Sequence, residues 1–430
     1  MSDYTSVLHN LEHKRVLGIN PPVFDFAFFD FWAKPLGLLY LLEFLREHHN
    51  KVTLLDCVYE GRSKSKGFGR YKTIRRQIDK PLVYKRIPRK FYHYGITKES
   101  FVDKLSRTER PDLILITSGM TYWYLGVKWC IDILRNLFSS TPPILLGGIY
   151  AQLCPDHAHT LGADGVQTVP LSIDYFYPAL DLYEAPNYGI TMTSIGCPLS
   201  CKYCASKKLW STYKRRPLTD ALEEIAFQEN IPTVKDIAFY DDALLINKES
   251  HFYHLCLELQ KKHPHLRYHT PNGLHVREID ETCARYLYET GFKTIRLSLE
   301  GNDPAIQKAS SGKVHEIQYA KAVRNLLRAG YSLSDIETYI LVGLPGQSCE
   351  SVQKSIKFVK SSGATVKLAE YSPIPGTPMF EECAQRLPIL KEEPLYHNNT
   401  AYCGYISQDI TAEDLQSLKD LANNFNDKTR

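Results

Sequence analysis

The 430 residues exceed what one ordinary core organises, and with 43% hydrophobic and 23% charged residues they suit a globular chain of two domains plus a tail. No apolar run approaches the roughly 20 residues that a membrane-spanning helix needs. The start, MSDYTSVLHNLEHKR, lacks the apolar stretch of a secretory signal, so a cytoplasmic protein is expected. Eleven scattered cysteines, an odd number, make a poor disulfide framework, and most should be reduced, buried thiols. The net charge is only +4, but residues 62–90 hold 12 Lys or Arg against the single acid Asp79, so that segment is +11 and the remainder −7. Such a segment is either a solvated interdomain strap or a site for an anionic partner such as phosphate, nucleotide or RNA. Interleaved Phe68, Tyr71, Tyr84, Phe91, Tyr92 and Tyr94 keep RNA open without establishing it.

Along the first 180 residues, short apolar runs alternate with helical patterns. Residues 16–22, 51–57, 112–119, 143–148 and 164–170 read as buried parallel strands, and 36–48 and 125–138 as helices between them. This is the pattern of a doubly wound sheet, whose ligands sit at the carboxyl ends of its strands. From about Tyr188 the alternation restarts with six strand candidates, 190–196, 236–242, 267–273, 294–300, 336–344 and 365–374. Helical segments 219–230, with Thr219 as N-cap, 249–263, 280–290, 317–329 and 350–362 separate them. Six β/α units predict an open, partial (β/α)6 barrel with its chemistry at the strands' C-terminal ends. The expected division is therefore an α/β fold with a Rossmann-type domain over 1–180, a barrel over 181–380, and a polar cap or tail over 381–430.

The segment SIGCPLSCKYCASKK places Cys197, Cys201 and Cys204 at the end of the first barrel strand. Three thiolates within eight residues, with Gly196 and Pro198 permitting a tight turn, can converge on one soft metal centre. Structural zinc wants four closed ligands, and no second cysteine knuckle follows; Cys154 with His157 and His159 is a stray alternative. Three ligands on a four-iron cube leave one iron open, which makes a cluster reactive rather than structural. Cys-x-x-x-Cys-x-aromatic-Cys after a barrel's first strand resembles the radical S-adenosylmethionine (SAM) superfamily. That resemblance implies a 4Fe–4S cluster whose open iron is chelated by the methionine part of SAM, and reductive cleavage of the sulfonium to a 5'-deoxyadenosyl radical.

The resemblance extends over residues 188–380 and implies further roles. Tyr203 matches the aromatic residue that packs near adenine, and Asp241 with Asp242, ending AFYDDALL, match the stretch that binds the methionine ammonium. Ser298 and Glu300 in LSLEGND stand where ribose hydroxyls are bound, and Gly343, Leu344 and Pro345 of ILVGLPGQ where backbone meets adenine. Each motif alone is more often structural; their order at successive strand ends is the signal.

The segments PP at 21–22, DFWAKPLGLLYLLEFLRE, TSGMTYWY and LGGIYAQLCP resemble the cobalamin-binding-type domain that precedes many radical SAM barrels. The resemblance implies that the turns at Ser118, Gly119, Gly147 and Gly148 approach a corrinoid; the structural alternative is that these glycines make ordinary tight turns. Two departures stand out. The loop PPVFDFAFFDFW has no histidine to supply a lower cobalt ligand; Asp56 and Gly61 have a similar spacing after the second strand, with Val58 where histidine would be. The fifth strand runs into TVPLSIDYF rather than a Gly-Glu-Gly-Glu-like turn.

Together these readings imply an enzyme, a metal-binding transferase that cleaves SAM at a 4Fe–4S cluster and, with cobalamin, transfers methyl groups. The alternatives are a cobalamin-independent radical modification of RNA or peptide, such as sulfur insertion, and a non-catalytic iron–sulfur sensor. An auxiliary cluster would draw on Cys349, Cys383 and Cys403, which lack short spacing, and Cys403 is otherwise a candidate hydrogen-atom donor. The implied partners are a small-molecule, peptide or RNA substrate and an electron donor such as flavodoxin or ferredoxin.

Overall fold

The computed structural model describes residues 2–28, 32–59, 67–68, 72–173, 177–312 and 315–426. Parts of three segments singled out above, 21–32, 62–90 and 168–176, therefore lie outside the described residues, as does Gly61. The chain divides into two compact units: Met1–Tyr188 with Ile231–Val234 and Lys391–Tyr396, and Gly189–Asn230 with Lys235–Leu390 and His397–Arg430.

In the first unit the strands are β1 (Arg15–Asn20), β2 (Val23–Asp25), β3 (Lys51–Asp56), β4 (Arg75–Ile78), β5 (Phe91–Tyr94), β6 (Leu113–Ile116), β7 (Ile144–Leu146) and β8 (Gly165–Val166). Five of them form a parallel sheet in the order β3-β1-β6-β7-β8. These are the five strands expected from the apolar runs, because a parallel sheet covered on both faces demands apolar residues at nearly every position. The helix Leu36–Glu47 buries nine of its residues, including Leu39, Leu42, Phe44 and Leu45, against that sheet. The strand order reverses between β1 and β6, which opens a crevice at their carboxyl ends. An antiparallel sheet β2-β5-β4, not anticipated from the sequence, is inserted after β1 and β3.

The second unit has β9 (Gly189–Thr191), β10 (Ser194–Ile195), β11 (Lys214–Arg215), β12 (Asp236–Phe239), β13 (Arg267–His269), β14 (Phe292–Glu300), β15 (Ile336–Val342) and β16 (Thr365–Glu370). Six of these make a parallel sheet in the order β16-β15-β14-β13-β12-β9, as a six-unit open barrel requires. Helices between the strands carry the expected apolar stripes; Glu316–Ala329 buries Tyr319, Ala322, Val323 and Leu326 and ends on Gly330 at φ +119°. At the β9 edge the side chain of Gln228 takes the place of a neighbouring strand, accepting from Ile190 N at 2.7 Å and donating to Ile190 O at 2.8 Å. A buried edge whose backbone groups are already satisfied does not recruit a further strand, so the barrel stays open.

Two local expectations are corrected. Thr219 is not the N-cap of its helix: Leu218–Glu229 is preceded by Pro217, whose fixed φ starts the turn, and Thr219 Oγ1 donates to Asp220 within it. The first barrel strand is not continuous over 190–196. The ladder of β9 ends at Thr191, and β10 pairs antiparallel with β11. The C-terminal segment also carries a core: Tyr402, Cys403 and Leu418 are fully buried, and Lys419 on the helix Ala412–Asn426 pairs with Glu370 of β16 at 2.5 Å.

Candidate active site

The three cysteines sit on the loop between β10 and the short helix Ser206–Leu209, with Cys201 buried, Cys197 half-buried and Cys204 exposed. Below them the chain is clamped by Asp241, which follows β12. Its buried carboxylate accepts from Thr193 N at 3.0 Å, Thr193 Oγ1 at 2.8 Å and Ser194 Oγ at 2.6 Å. Burial pushes the Asp241 pKa up, and these donors pull against it by holding the charged form. This clamp takes the chain out of the β9 ladder and turns it toward the cysteines; Gly196, at φ +76°, completes the turn. The middle of the loop is pinned from outside, where Ser200 N donates to Ser311 Oγ at 3.1 Å, Lys202 N to Ala309 O at 2.8 Å and Met379 N to Lys202 O at 3.1 Å.

The structure brings several of the expected residues together. Tyr203 is half-buried beside Glu300 and Cys201, and burial first, then those neighbours, raises its pKa far above the ordinary phenol value. Glu300 reaches that position from a β-bulge: the pairing of β14 with β15 shifts register between Ser298 and Glu300, and Glu300 adopts φ +67°. A non-glycine residue in the left-handed region at a strand end is a local strain that the surrounding structure imposes. Asp242 Oδ2 accepts from Ser206 Oγ at 2.7 Å, and Ser206 N lies 3.5 Å from Cys204 Sγ, so this carboxylate is linked to the third thiol through one serine. Ser298 sits beside Gly273, where a methyl group would lie 2.6 Å from Ser298 Oγ. Asp241 and Asp242, adjacent in sequence, thus turn in different directions.

The turn after β15 is stapled by Gln347. Its Oε1 accepts from Gly343 N at 2.9 Å and Leu344 N at 3.2 Å, and its Nε2 donates to Leu341 O at 3.0 Å; Leu344 is buried and Pro345 half-buried beside it. Cys403 is fully buried against this turn rather than open to a cavity. A methyl group on Gly343, which has φ +86°, would lie 2.5 Å from Cys403 Sγ, and burial raises that thiol's pKa to about 12.

Sequence reasoning missed Thr193, Ser194, Ser206 and Gln347. Only Gln347 had a readable signal, its place at the end of the Gly-Leu-Pro-Gly-Gln turn.

At the carboxyl edge of the first unit, Ser118 and Gly119 follow β6, and Gly147 and Gly148 follow β7. Ser118 Oγ donates to Gly147 O at 2.8 Å, and Ile149 N to Ser118 O at 2.9 Å. Gly148 has φ +93°, and a methyl group there would overlap the Ser118 carbonyl and lie 2.6 Å from Ser118 N, so this glycine is required by the turn itself. At Gly147 a methyl group would, among the described residues, find only Gln167 Cβ, at 3.8 Å, so these residues make no such demand there. At Gly119 a methyl group would press on the Trp123 ring at 3.1 Å. Trp123, Phe28, Tyr92 and Tyr94 form a partly buried aromatic group on the same edge, and Trp123 Nε1 donates to buried Asp25 at 2.7 Å. His157, from the stray zinc alternative, is held by the Tyr150 hydroxyl at 2.5 Å instead.

Residues 191–359 match the family described as Radical SAM superfamily. The second unit contains a radical SAM domain. The chain is 26% identical over 222 residues, half of its length, to an uncharacterized methyltransferase of Pyrococcus horikoshii, of which this covers 46%. It is 25% identical to a bacteriochlorophyllide d C-12(1)-methyltransferase of Chlorobaculum tepidum, over 45% of the chain and 42% of that protein. The chain thus spans less than half the length of these curated relatives. Among solved structures, the radical SAM methyltransferase TsrM of Kitasatospora setae, with tryptophan and a SAM analogue bound, aligns with a TM-score of 0.63 at 16% identity, covering 87% of this chain and 76% of TsrM. The cobalamin-dependent radical SAM enzyme OxsB, with aqua-cobalamin and SAM bound, aligns at 0.58 and 12%, covering 90% of this chain and 57% of OxsB. These likenesses bear out the α/β layout of a parallel-sheet domain followed by a radical SAM barrel.

A radical SAM domain implies a 4Fe–4S cluster and SAM. Among the described residues no three His, Cys, Asp or Glu side chains are gathered as a metal-binding set. The cysteine loop nevertheless fits a cluster in the chemistry of its donors: three thiols outside any disulfide within eight residues, one buried and one exposed, on a segment clamped at its base. At the first unit's edge, the backbone turn at Gly147 and the adjoining aromatic group suit a broad planar ligand such as a corrin.

Proposed function

We propose that this chain is a radical SAM enzyme that cleaves SAM reductively and, using a corrinoid held at the carboxyl edge of the first unit, transfers a methyl group. The observation that carries the reading is the placement of Cys197, Cys201 and Cys204 within eight residues on one loop whose base Asp241 clamps through Thr193 and Ser194. When bound, the cluster supplies one electron to the sulfonium of SAM, and the corrinoid supplies a methyl carrier.

The chain's own residues provide the rest. Cys197, Cys201 and Cys204 hold three irons as thiolates. Asp242, reached through Ser206 from the third thiol, accepts the methionine ammonium, while Asp241, its carboxylate committed to Thr193 and Ser194, positions the cysteine loop. Ser298 and Glu300 accept from the ribose hydroxyls, with Tyr203 beside Glu300. The backbone of Gly343, Leu344 and Pro345, stapled by Gln347, lies against adenine. Ser118, Gly119, Gly147 and Gly148 shape the corrinoid edge. No step is assigned to Cys403, which packs behind Gly343. The methyltransferase names of the Pyrococcus and Chlorobaculum relatives and of TsrM support group transfer over other radical outcomes. The electron comes from a flavodoxin- or ferredoxin-type donor, and a reducing cytoplasm suits eleven cysteines outside any disulfide. Among the described residues no helix is long and apolar enough to cross a membrane.

The test is anaerobic reconstitution with iron and sulfide, followed by EPR with SAM and then hydroxocobalamin. Four irons per chain, an EPR change on adding SAM, and a corrinoid retained through gel filtration are expected. Iron without corrinoid would sink the methyl-carrier part, and zinc in place of iron would sink the whole.

A further inference from the structure

The described part of the basic segment, residues 72–90, contains eight Lys or Arg and one acid, Asp79. It comprises β4, the loop that follows, and the approach to β5. Lys72, Arg75, Arg76, Lys85, Arg86 and Lys90 are exposed. Among the described residues none of these six forms a close ion pair with an acid: Arg76 donates to Gly95 O at 2.9 Å and feels Glu99 only at longer range, and Arg75 lies 4.4 Å from the centre of the Tyr92 ring. Elsewhere in the same unit six surface cations are matched, Arg15 with Asp112, Arg46 with Asp181, Lys51 with Glu109, Arg107 with Asp103, Lys128 with Asp132 and Arg135 with Asp164, while, among the described residues, the unmatched Lys14, Lys98, Lys104 and Arg110 are dispersed rather than gathered in one run. An unmatched run of one sign disfavours the compact state by self-repulsion, so its concentration here points to a partner of opposite charge.

Edge-strand protection does not account for it. Lysines and arginines on an edge strand discourage pairing with other chains, and Arg75 and Arg76 on β4 are placed for that. Lys85, Arg86 and Lys90 stand where no strand ladder needs protecting.

The planar groups decide which polyanion fits. In register across the sheet, Phe24, His93 and Arg76 form one row, with Phe24 and His93 stacked at 4.7 Å and 8°. In the next rows Arg75 lies over Tyr92. The exposed Arg75 guanidinium backed by the Tyr92 ring is a platform for an unstacked base, and the surrounding lysines meet phosphates; the Phe24–His93 pair, its histidine buried against Trp129 on the other face, stiffens the sheet beneath. An acidic protein surface would use the charges but not the stack. We infer that the β4–β5 hairpin is a binding surface for single-stranded nucleic acid. Within the insert β2 follows β1 after two residues, so a strand bound there lies near the carboxyl edge of the parallel sheet.

The test uses the full chain and fluorescein-labelled 20-nucleotide single strands of mixed sequence, as RNA and as DNA, titrated by anisotropy at several salt concentrations. Binding should weaken with salt, and K85Q/R86Q/K90Q should lower affinity about a hundredfold near 0.1 M salt and flatten the log–log slope by about 2. The variant R107Q/K128Q/R135Q, which removes the same charge from matched positions, should bind like the parent, and both variants should melt as the parent does. The RNA and DNA arms distinguish the two sources of the strand. Absence of binding at 50 mM salt, equal losses in the two variants, or equal competition by polyglutamate of matched charge would each overturn the assignment. None of these readouts depends on iron or SAM, so the inference fails or stands apart from the radical reading.

Discussion

The carboxyl edges of the two parallel sheets solve different problems with different materials. At the barrel end the groups are ionisable side chains with defined partners: Asp241 with Thr193 and Ser194, Asp242 with Ser206, and Glu300 beside Tyr203. At the first unit's end they are backbone turns and rings: Ser118, Gly147, Gly148, Trp123 and Tyr94. Charges fixed by hydrogen bonds suit a small cosubstrate that must be gripped at its ammonium, carboxylate and hydroxyls. Bare backbone beside aromatic faces suits a wide ligand held over a large area. Substitution should therefore act through lost ligands at one edge and through lost space at the other.

The largest effect is expected at the cysteine loop. Replacing any one of Cys197, Cys201 or Cys204 by Ala should abolish the reconstituted iron–sulfur absorbance and leave iron near background by colorimetric assay. Cys283→Ala, on a buried helical position away from the loop, should keep full iron content; iron lost there would mean that the ligand assignment is wrong.

At the other edge two neighbouring glycines separate fold from binding. Gly148→Ala forces a side chain into φ +93° and against the Ser118 backbone, and should cost about 3 kcal/mol or more, read as a lowered melting temperature. Gly147→Ala meets only Gln167 Cβ among the described residues and should leave the melting curve within about 0.5 kcal/mol of the parent while reducing corrinoid retention. If both variants bind corrinoid normally, Gly147 is not where the ligand approaches.

How far such contrasts could be anticipated depended on the range of the interactions. All five parallel strands of the first unit and all six of the barrel were legible, most of them as buried apolar runs such as β6 and β7, and the more polar RYH of β13 and TVKLAE of β16 by their place in the alternation with helices. The antiparallel insert was not. VFD, RRQI and FYHY are short, and RRQI is polar and exposed; it pairs as an edge strand on β5, which with β2 is buried by neighbouring elements, and no local pattern records this. The cysteines and the strand-end motifs were legible as residue types. Their division of labour was not: nothing in AFYDDALL says that Asp241 turns inward to donors 47 and 48 residues earlier while Asp242 turns to Ser206. The polar appearance of the last fifty residues likewise concealed Tyr402, packed on Tyr371 and Cys383, and Cys403, whose sulfur meets the Val342 carbonyl some sixty residues earlier in the chain.

A smaller effect follows from His93 in the insert, which is stacked on Phe24 and edged by Trp129. Burial, together with Arg76, lowers its pKa to about 4. The unfolded chain takes up a proton near pH 6.5 that the folded one refuses until about pH 4, so this group's contribution is complete above 6.5 and is lost as pH falls through that window. At pH 5 the loss should be about 2 kcal/mol. His93→Phe keeps the ring stack and removes the proton, so its melting temperature should fall less than the parent's between pH 7 and pH 5. Parallel curves would show that acid destabilisation of this unit originates elsewhere.

The smallest expected effect tests whether the C-terminal segment shapes the barrel edge or only covers it. Cys403→Ala removes a buried sulfur and should cost about 1 kcal/mol. Gly343→Ala should cost more, because its methyl group would lie 2.5 Å from that sulfur and the residue holds φ +86°. In the double variant the steric part disappears and only the backbone part, about 1 kcal/mol, remains. The two costs should therefore fall short of additivity by about 1–2 kcal/mol, measured by urea unfolding of all four proteins. Additive costs would mean that the turn after β15 relaxes freely behind Gly343, and that Cys403 fills space without setting the turn's position. A deficit would make the sulfur a fixed backstop for the turn that Gln347 staples from the other side.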